Sequence, residues 1–96
     1  MDILVAYDVN TLTKEGRSRL RRVAKICEGF GQRVQFSVFE CTVSDAVFVI
    51  MENRLLKVIE PQEDSLRIYM LRGRRQDVVR AYGRDHYVDF TAPLIT

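Results

Sequence analysis

The stretch DILVAYDV, residues 2–9, decides how the rest of the chain is arranged. It is short, apolar and rich in residues that favour strands. In an extended conformation residues 3, 5 and 7 would share one face, and residues 4, 6 and 8 would share the other. Asp8 is the last residue of this second series. The pattern therefore predicts a central strand that is buried on much of both faces.

A helix is predicted to follow the polar segment NTLTKEG, residues 10–16. Apolar residues then fall at the helical spacing i, i+3, i+4 and i+7. They are Leu20, Val23, Ala24 and Cys27. Arg21, Arg22 and Lys25 would project from the opposite side, and Gly29 and Gly31 supply the stop. The spacing predicts a helix of about 13 residues with one strongly basic side.

Residues 33–43, RVQFSVFECTV, carry the β-branched and aromatic residues that strands favour. The pattern predicts one long strand or a strand broken into two pieces. Uninterrupted alternation would put Val34, Phe36 and Val38 on one face, and Gln35, Ser37 and Phe39 on the other.

Ser44 or Asp45 would then cap a helix that continues to about Ile59, before Pro61. Its AVFVIM portion could also form a strand, but the total length favours a helix.

Alternation from Ser65 to Leu71 predicts a further strand, followed by a basic turn at 72–75 that contains Gly73. Residues 78–82 resemble another strand, and residues 87–95 a short strand-like tail. Elements in this order, with short connections, predict an α+β fold: a ferredoxin-like two-layer sandwich of an antiparallel sheet and two helices. The 96 residues fit a single domain, 1–96.

Composition excludes several classes of protein. Hydrophobic residues make up 47% and charged residues 29%, which is typical of a globular chain and not of a disordered one. The longest apolar run, residues 46–51, cannot span a membrane, and no signal peptide is visible. One histidine and two separate cysteines make a structural zinc site improbable. Cys27 and Cys41 are expected to be buried thiols in a reducing cytosol. So small a domain has a thin core, which favours an oligomer.

Asp8 is the sharpest candidate for chemistry, because an acid at the end of an apolar strand is costly to bury without a partner or a cation. One interpretation is a carboxylate ligand for Mg²⁺. The alternative is a cap that accepts hydrogen bonds from backbone amides of the 10–16 loop. A magnesium site usually takes one or two carboxylates, and no second acid stands near Asp8 in the sequence. A homodimer with its two-fold axis near this strand end would bring two copies together.

Arginine and aromatic residues supply candidates for nucleic-acid binding. Arginine outnumbers lysine by 12 to 3, and the guanidinium suits bidentate contact with phosphate. The basic residues concentrate in and before the first helix, namely Arg17, Arg19, Arg21, Arg22 and Lys25, with Arg33 following. A further cluster comprises Arg72, Arg74 and Arg75. The alternative for each group is a solvated surface.

Three aromatic side chains, Tyr7, Phe36 and Phe39, could stack on bases, although aromatics on strands are more often core. Phe39 is favoured among them, because alternation places it with polar Gln35 and Ser37. His86 could act as a general base, but a lone surface histidine is the simpler interpretation.

Four pieces of the chain together resemble the CRISPR-associated protein two family, in order over residues 1 to about 84. They are YDV at 7–9, RLRRVAKICEGFG at 19–31, RVQFSVFEC at 33–41 and DSLRIYML at 64–71. The resemblance implies a ferredoxin-like homodimer whose C-terminal strand, in a tail of about 84–96, is exchanged with or paired to the other subunit's sheet. It implies a Mg²⁺ or Mn²⁺ site at paired Asp8 carboxylates, and neighbouring functional residues Tyr7, Arg22, Arg33, Ser37 and Phe39.

The same resemblance implies a cytoplasmic, metal-dependent endonuclease that acts on RNA or double-stranded DNA. It also implies a scaffold in CRISPR spacer acquisition, placed between dimers of an integrase. The main alternative is a non-catalytic adaptor that holds duplex DNA for the integrase, with Asp8 structural. A toxin-like ribonuclease and a regulatory domain that binds a small ligand are further alternatives.

Overall fold

The computed structural model describes residues 1–88, and in them four strands form a single antiparallel sheet with two long helices. The elements are β1 (Asp2–Asp8), α1 (Lys14–Glu28), β2 (Gly31–Gln35), β3 (Val38–Thr42), α2 (Asp45–Val58), β4 (Ser65–Leu71) and the short α3 (Arg75–Val78). The strand order is β2-β3-β1-β4. This arrangement confirms the predicted α+β, ferredoxin-like fold.

Strand β1 lies in the middle of the sheet, and one of its faces forms the centre of the core. Val5 is paired with Phe39 on β3 and with Ile68 on β4, and both Val5 and Phe39 are fully buried. We call the face of the sheet that carries Val5 and Phe39 the helix-covered face. Leu4 and Ala6, on the outer face, are only half-buried. The prediction of burial on both faces was therefore wrong for the outer face, because both long helices pack on the other side.

Side-chain caps fix where the two long helices begin. Thr13 accepts a hydrogen bond from the backbone N–H of Gly16 at 3.0 Å, so α1 begins at Lys14, inside the segment predicted as loop. A methyl group at Gly16 would overlap the carbonyl oxygen of Asn10, so this close approach requires glycine. Ser44 accepts a hydrogen bond from Val47 N–H at 3.2 Å. The predicted capped helix after β3 is thereby confirmed.

Residues Phe36 and Ser37 form a turn that divides the predicted long strand into β2 and β3. The two strands pair antiparallel, with an irregular register between Arg33 and Gln35. The broken-strand alternative is therefore confirmed. Uninterrupted alternation does not hold, because a turn resets which face each later residue occupies.

The predicted strand at 78–82 is absent from the described part of the chain. Gly73, with φ of 98°, turns the backbone after β4, and the short helix α3 follows. Arg75 then donates two hydrogen bonds to Glu40, at 2.8 and 3.2 Å, which holds the chain against β3. Farther on, the Gln32 side-chain amide donates to Val88 C=O at 2.7 Å and accepts from Val88 N–H at 2.8 Å. The predicted tail at 87–95 falls mostly on residues 89–96, outside the described residues.

Both cysteines are buried free thiols, as predicted. Burial raises the pKa of Cys27 to about 12 and that of Cys41 to about 11. Within residues 1–88 no helix combines the length and the apolar character needed to cross a bilayer.

Candidate functional site at the end of β1

Asp8 is the last residue of β1 and lies on the outer face, where its side chain is exposed. It is paired with Ser65, the first residue of β4. Among residues 1–88 the Asp8 carboxylate makes no ion pair and no side-chain hydrogen bond. Its oxygens are therefore available to a ligand that comes from outside this protomer.

If Asp8 were a cap, its side chain would accept hydrogen bonds from backbone amides of the 10–16 loop, but other residues make the contacts in this loop. Asp64 accepts a hydrogen bond from the backbone N–H of Asn10 at 3.1 Å. Asn10 in turn accepts from Leu12 N–H at 3.0 Å, and Thr13 caps α1. The loop after β1 is thus held without the Asp8 side chain, which argues against the cap interpretation of Asp8.

Asp64 and Arg19 form a close ion pair near this end of the sheet. The Arg19 Nε donates to Asp64 Oδ2 at 2.8 Å, and the Asp64 side chain is fully buried. Asp64 also accepts from Glu60 N–H at 2.8 Å. Burial acts to raise the pKa of Asp64, but the hydrogen bonds from Arg19, Glu60 and Asn10 together hold that pKa below its ordinary value. Sequence reasoning gave no role to Asp64, because its partners are distant in the chain.

The predicted phosphate-binding role of Arg19 does not fit this geometry. Its side chain is only 14% exposed, and its Nη2 also contacts Glu63 at 3.1 Å. Since two carboxylates already bind its Nε and Nη2 donors, Arg19 serves as a structural link between α1 and the turn before β4.

Tyr7 and Phe39 are core residues, which argues against the predicted stacking of these two rings on bases. Tyr7 is 6% exposed, Phe39 is fully buried, and the ring centroids lie 6.2 Å apart in a stacked pair. Burial is the main cause that raises the pKa of Tyr7. Its hydroxyl has no hydrogen-bond partner among residues 1–88.

Phe36 takes the place of Phe39 as the exposed aromatic of this region. It stands in the turn between β2 and β3 and is 93% exposed. The neighbouring Ser37 accepts, through its carbonyl, a hydrogen bond from Tyr7 N–H at 3.1 Å. The turn therefore lies beside the end of β1, next to Asp8.

Arg33 lies on the helix-covered face at the edge strand β2. Its guanidinium carbon is 5.2 Å from the Phe39 ring centroid, and its nearest acid is Glu28 at 3.5 Å. The Arg33 side chain remains 45% exposed. Because this ion pair is long and exposed, it contributes little, and the guanidinium can turn to another anion.

The exposed side of α1 carries the remaining basic candidates as predicted from the helical spacing. Arg17, Arg21, Arg22 and Lys25 are all exposed, while Val23 and Cys27 point into the core. Arg17 donates only to the carbonyl of Thr11, at 3.2 Å. The basic side of α1 and Asp8 therefore lie on opposite layers of the sandwich, and the structure does not gather them into one pocket.

The predicted arginine cluster at 72–75 is divided by its contacts. Arg75 binds Glu40, which is only 7% exposed, and its guanidinium lies 3.6 Å from the Tyr87 ring centroid. Arg74 pairs with Asp77 at 2.9 Å. Arg72 alone is exposed without an ion pair within residues 1–88. Arg75 therefore has a structural role, and the structure does not support a phosphate-binding cluster made of all three arginines.

The described part of one protomer does not contain a complete set of ligands for a metal ion. No group of three or more His, Cys, Asp or Glu residues converges anywhere in 1–88. The exposed, unpaired Asp8 carboxylate still suits a hard cation that keeps several water ligands and takes only one or two carboxylates. The donor set thus fits a shared site better than one built within a single chain.

Comparisons with known proteins agree on one family. A family profile described as CRISPR associated protein Cas2 matches residues 1–79. The CRISPR-associated endoribonuclease Cas2 1 of Moorella thermoacetica is 50% identical over 95 residues, covering 99% of both chains. The CRISPR-associated endonuclease Cas2 of Halalkalibacterium halodurans is 42% identical over the same length and coverage. A crystal structure of Streptococcus pyogenes Cas2 at pH 6.5 matches with a TM-score of 0.77 and 52% identity, over 86% of this chain and 100% of that one.

Proposed function

The chain belongs to the CRISPR-associated Cas2 family, and on that premise we propose that it is a Mg²⁺- or Mn²⁺-dependent endonuclease of CRISPR spacer acquisition. Its reaction is the hydrolysis of phosphodiester bonds in RNA or double-stranded DNA. The similar proteins of Moorella thermoacetica and Halalkalibacterium halodurans are named endoribonuclease and endonuclease, which supports this class of reaction.

The observation that carries the proposal is the exposed Asp8 carboxylate, which no residue of 1–88 engages. An acid at a strand end with no structural partner is a candidate for catalysis or metal binding. The acids in the turn before β4 already have partners: the Asp64 side chain is fully buried among donors, Glu63 pairs with Arg19, and Glu60 accepts from Gln62 N–H. Asp8 is therefore the acid near this end whose carboxylate no residue of 1–88 engages.

We propose that the active unit is a homodimer in which two Asp8 carboxylates share the cation. The two-fold axis would pass near the outer face, where Leu4 and Ala6 are only half-buried and can accept further contacts. A bound divalent ion supplies charge stabilisation for the scissile phosphate. Asp8 would hold that ion, and Arg33 would bind a flanking phosphate from its exposed position, whereas Arg22 belongs to the basic side of α1 on the opposite layer.

A second function is favoured by a specific observation. The basic side of α1 lies on the layer opposite to Asp8, so this surface can track a phosphate backbone without involving the carboxylate. We propose that the dimer also holds spacer DNA for the integrase through this surface. A purely adaptor role would leave Asp8 without a function, and a toxin-like ribonuclease would cut RNA alone. The free thiols of Cys27 and Cys41 suit the reducing cytoplasm.

The test replaces Asp8 by Asn and compares cleavage of single-stranded RNA and duplex DNA with and without Mg²⁺. Asp2→Asn is the matched control, because Asp2 lies on the same strand and the same face at its other end. Asp8→Asn should lose cleavage by at least about 100-fold with its thermal stability unchanged, since it removes charge and little volume. Wild-type rates in Asp8→Asn would place the chemistry elsewhere.

A further inference from the structure

Phe36 is the most exposed large apolar residue among residues 1–88. At 93% exposure its ring makes no contribution to the core, and the turn does not need an aromatic residue for its geometry. Isolated apolar side chains on a surface are ordinary, so exposure alone assigns no role to Phe36. Its surroundings do.

An open cleft of about 660 Å³ lies beside the Phe36 ring. The residues that line it include Phe36, Ser37 and three residues of a type that carries or can carry positive charge, namely Arg33, Arg84 and His86. No acidic side chain lines this cleft within the described residues. An aromatic face beside cationic groups matches a nucleotide, whose base stacks while its phosphate is held.

The position of the turn links this cleft to Asp8. The carbonyl of Ser37 accepts the Tyr7 N–H at 3.1 Å, and Tyr7 directly precedes Asp8. The β2–β3 turn and the Asp8 carboxylate therefore stand at the same end of the sheet. A nucleotide held at Phe36 would bring its neighbouring phosphodiester to the end where Asp8 is exposed.

We propose that Phe36 is a base-stacking residue and that, with Arg33 and Arg84, it forms a subsite for one unpaired nucleotide. The ring can reach the face of a base only when that base is free of its neighbours, as in single-stranded RNA or at a frayed end. Bases inside a duplex are stacked on each other and do not offer such a face. The inference deepens the proposed nuclease function and rests on it for the role of Asp8.

The chain contains no tryptophan, so Phe36→Trp introduces a single indole at the subsite. In buffer with chelator, a single-stranded RNA oligonucleotide should quench and shift the emission of this indole, and duplex DNA with blunt, GC-paired ends should not. Phe36→Ala should bind the single strand about 10- to 100-fold more weakly, while Phe36→Tyr and Phe36→Trp retain the wild-type Kd. Val49→Ala is the matched control, because Val49 is also apolar and exposed, on α2.

Three results would overturn the inference. They are an unchanged Kd for Phe36→Ala, equal quenching by the duplex, and an emission that shifts with protein concentration alone, which would make the turn a contact between copies of the chain. Repeating the titration in a Phe36→Trp, Asp8→Asn background separates this inference from the proposed function. If single-stranded RNA still quenches the indole but cleavage does not depend on Asp8, the subsite is supported and the catalytic role of Asp8 is rejected. If the RNA does not quench the indole but cleavage depends on Asp8, the subsite is rejected and the catalytic role of Asp8 is supported.

Discussion

Replacing Asp64 is the perturbation whose effect follows most directly from the geometry. The Asp64 carboxylate joins three segments: it accepts from Asn10 in the loop after β1, from Glu60 in the turn before β4, and from Arg19 on α1. Ser65, the next residue, pairs with Asp8 across the sheet. Loss of this carboxylate should therefore loosen the backbone on both sides of Asp8 while leaving the rest of the core in place.

The magnitude can be worked out from the donors that lose their partner. The Asn10 N–H and the Arg19 guanidinium are partly buried, whereas the Glu60 N–H is exposed and can turn to water. A hydrogen bond to a charged group contributes about 1.5–3 kcal/mol, and an exposed donor adds little, so Asp64→Ala should lower the free energy of unfolding by about 3 kcal/mol. Asp64→Asn keeps one acceptor oxygen and should cost about half of that. Glu63→Ala, the control, removes only the exposed partner of Arg19 and should cost about 0–1 kcal/mol.

Urea denaturation across a pH series is the assay. The folded pKa of Asp64 lies below its ordinary value of 3.8, so the ionised form is favoured in the folded state. The stability that this carboxylate contributes is complete above the ordinary value and is lost as the pH falls through the folded pKa, because the unfolded chain binds the proton first. The difference between wild type and Asp64→Asn should therefore shrink below about pH 4. A difference that stays constant with pH, or a Glu63→Ala cost equal to that of Asp64→Ala, would refute the assignment.

Two further predictions concern the core. Phe39→Ala should lower the free energy of unfolding by about 3–5 kcal/mol, because the ring is fully buried. Urea denaturation measures this loss. Unchanged stability together with weaker RNA binding would instead support a stacking role for Phe39. Cys27 and Cys41 should resist alkylation at about pH 8 until the chain is unfolded, because burial raises the pKa of both thiols and leaves little thiolate. Because the pKa of both thiols is raised in the folded state, the free energy of unfolding should fall as the pH rises above 9.0, where the unfolded thiols ionise first. Alkylation is measured by mass spectrometry, and equal rates in folded and unfolded protein would contradict the burial of the two thiols.

Local patterns in the sequence were enough to predict most of the fold. The helical spacing of Leu20, Val23 and Cys27 fixes the buried side of α1, and Ser44 marks the start of α2, because both signals act over a few residues. Register was harder to predict. The turn at Phe36 and Ser37 contains no Gly, Pro, Asn or Asp, and Ser37 is only a weak turn signal, so the composition marks poorly where alternation resets. Phe39 was consequently assigned to the polar face, and it is in fact core.

The roles of residues in the candidate site were harder to predict from the sequence, because they depend on contacts between residues that are distant in the chain. Arg19 and Asp64 are 45 positions apart, and Arg75 and Glu40 are 35 apart. A sequence pattern shows that these arginines are available for phosphate but not that carboxylates already occupy them. The strand predicted at 78–82 was wrong: the short helix α3 runs to Val78, no strand follows at 79–82, and the Arg75–Glu40 pair contacts β3 just before this segment.

The pairing of Gln32 with Val88 has a consequence for how the protein behaves in concentrated solution. A β-strand with a free edge is a template on which other chains can polymerise, and β2 is such an edge. The amide of Gln32 engages both the donor and the acceptor of one residue of the returning chain, much as a neighbouring strand would. Shortening the chain before Val88 would remove this segment from beside β2, and we expect other chains to pair more readily with the free edge of β2.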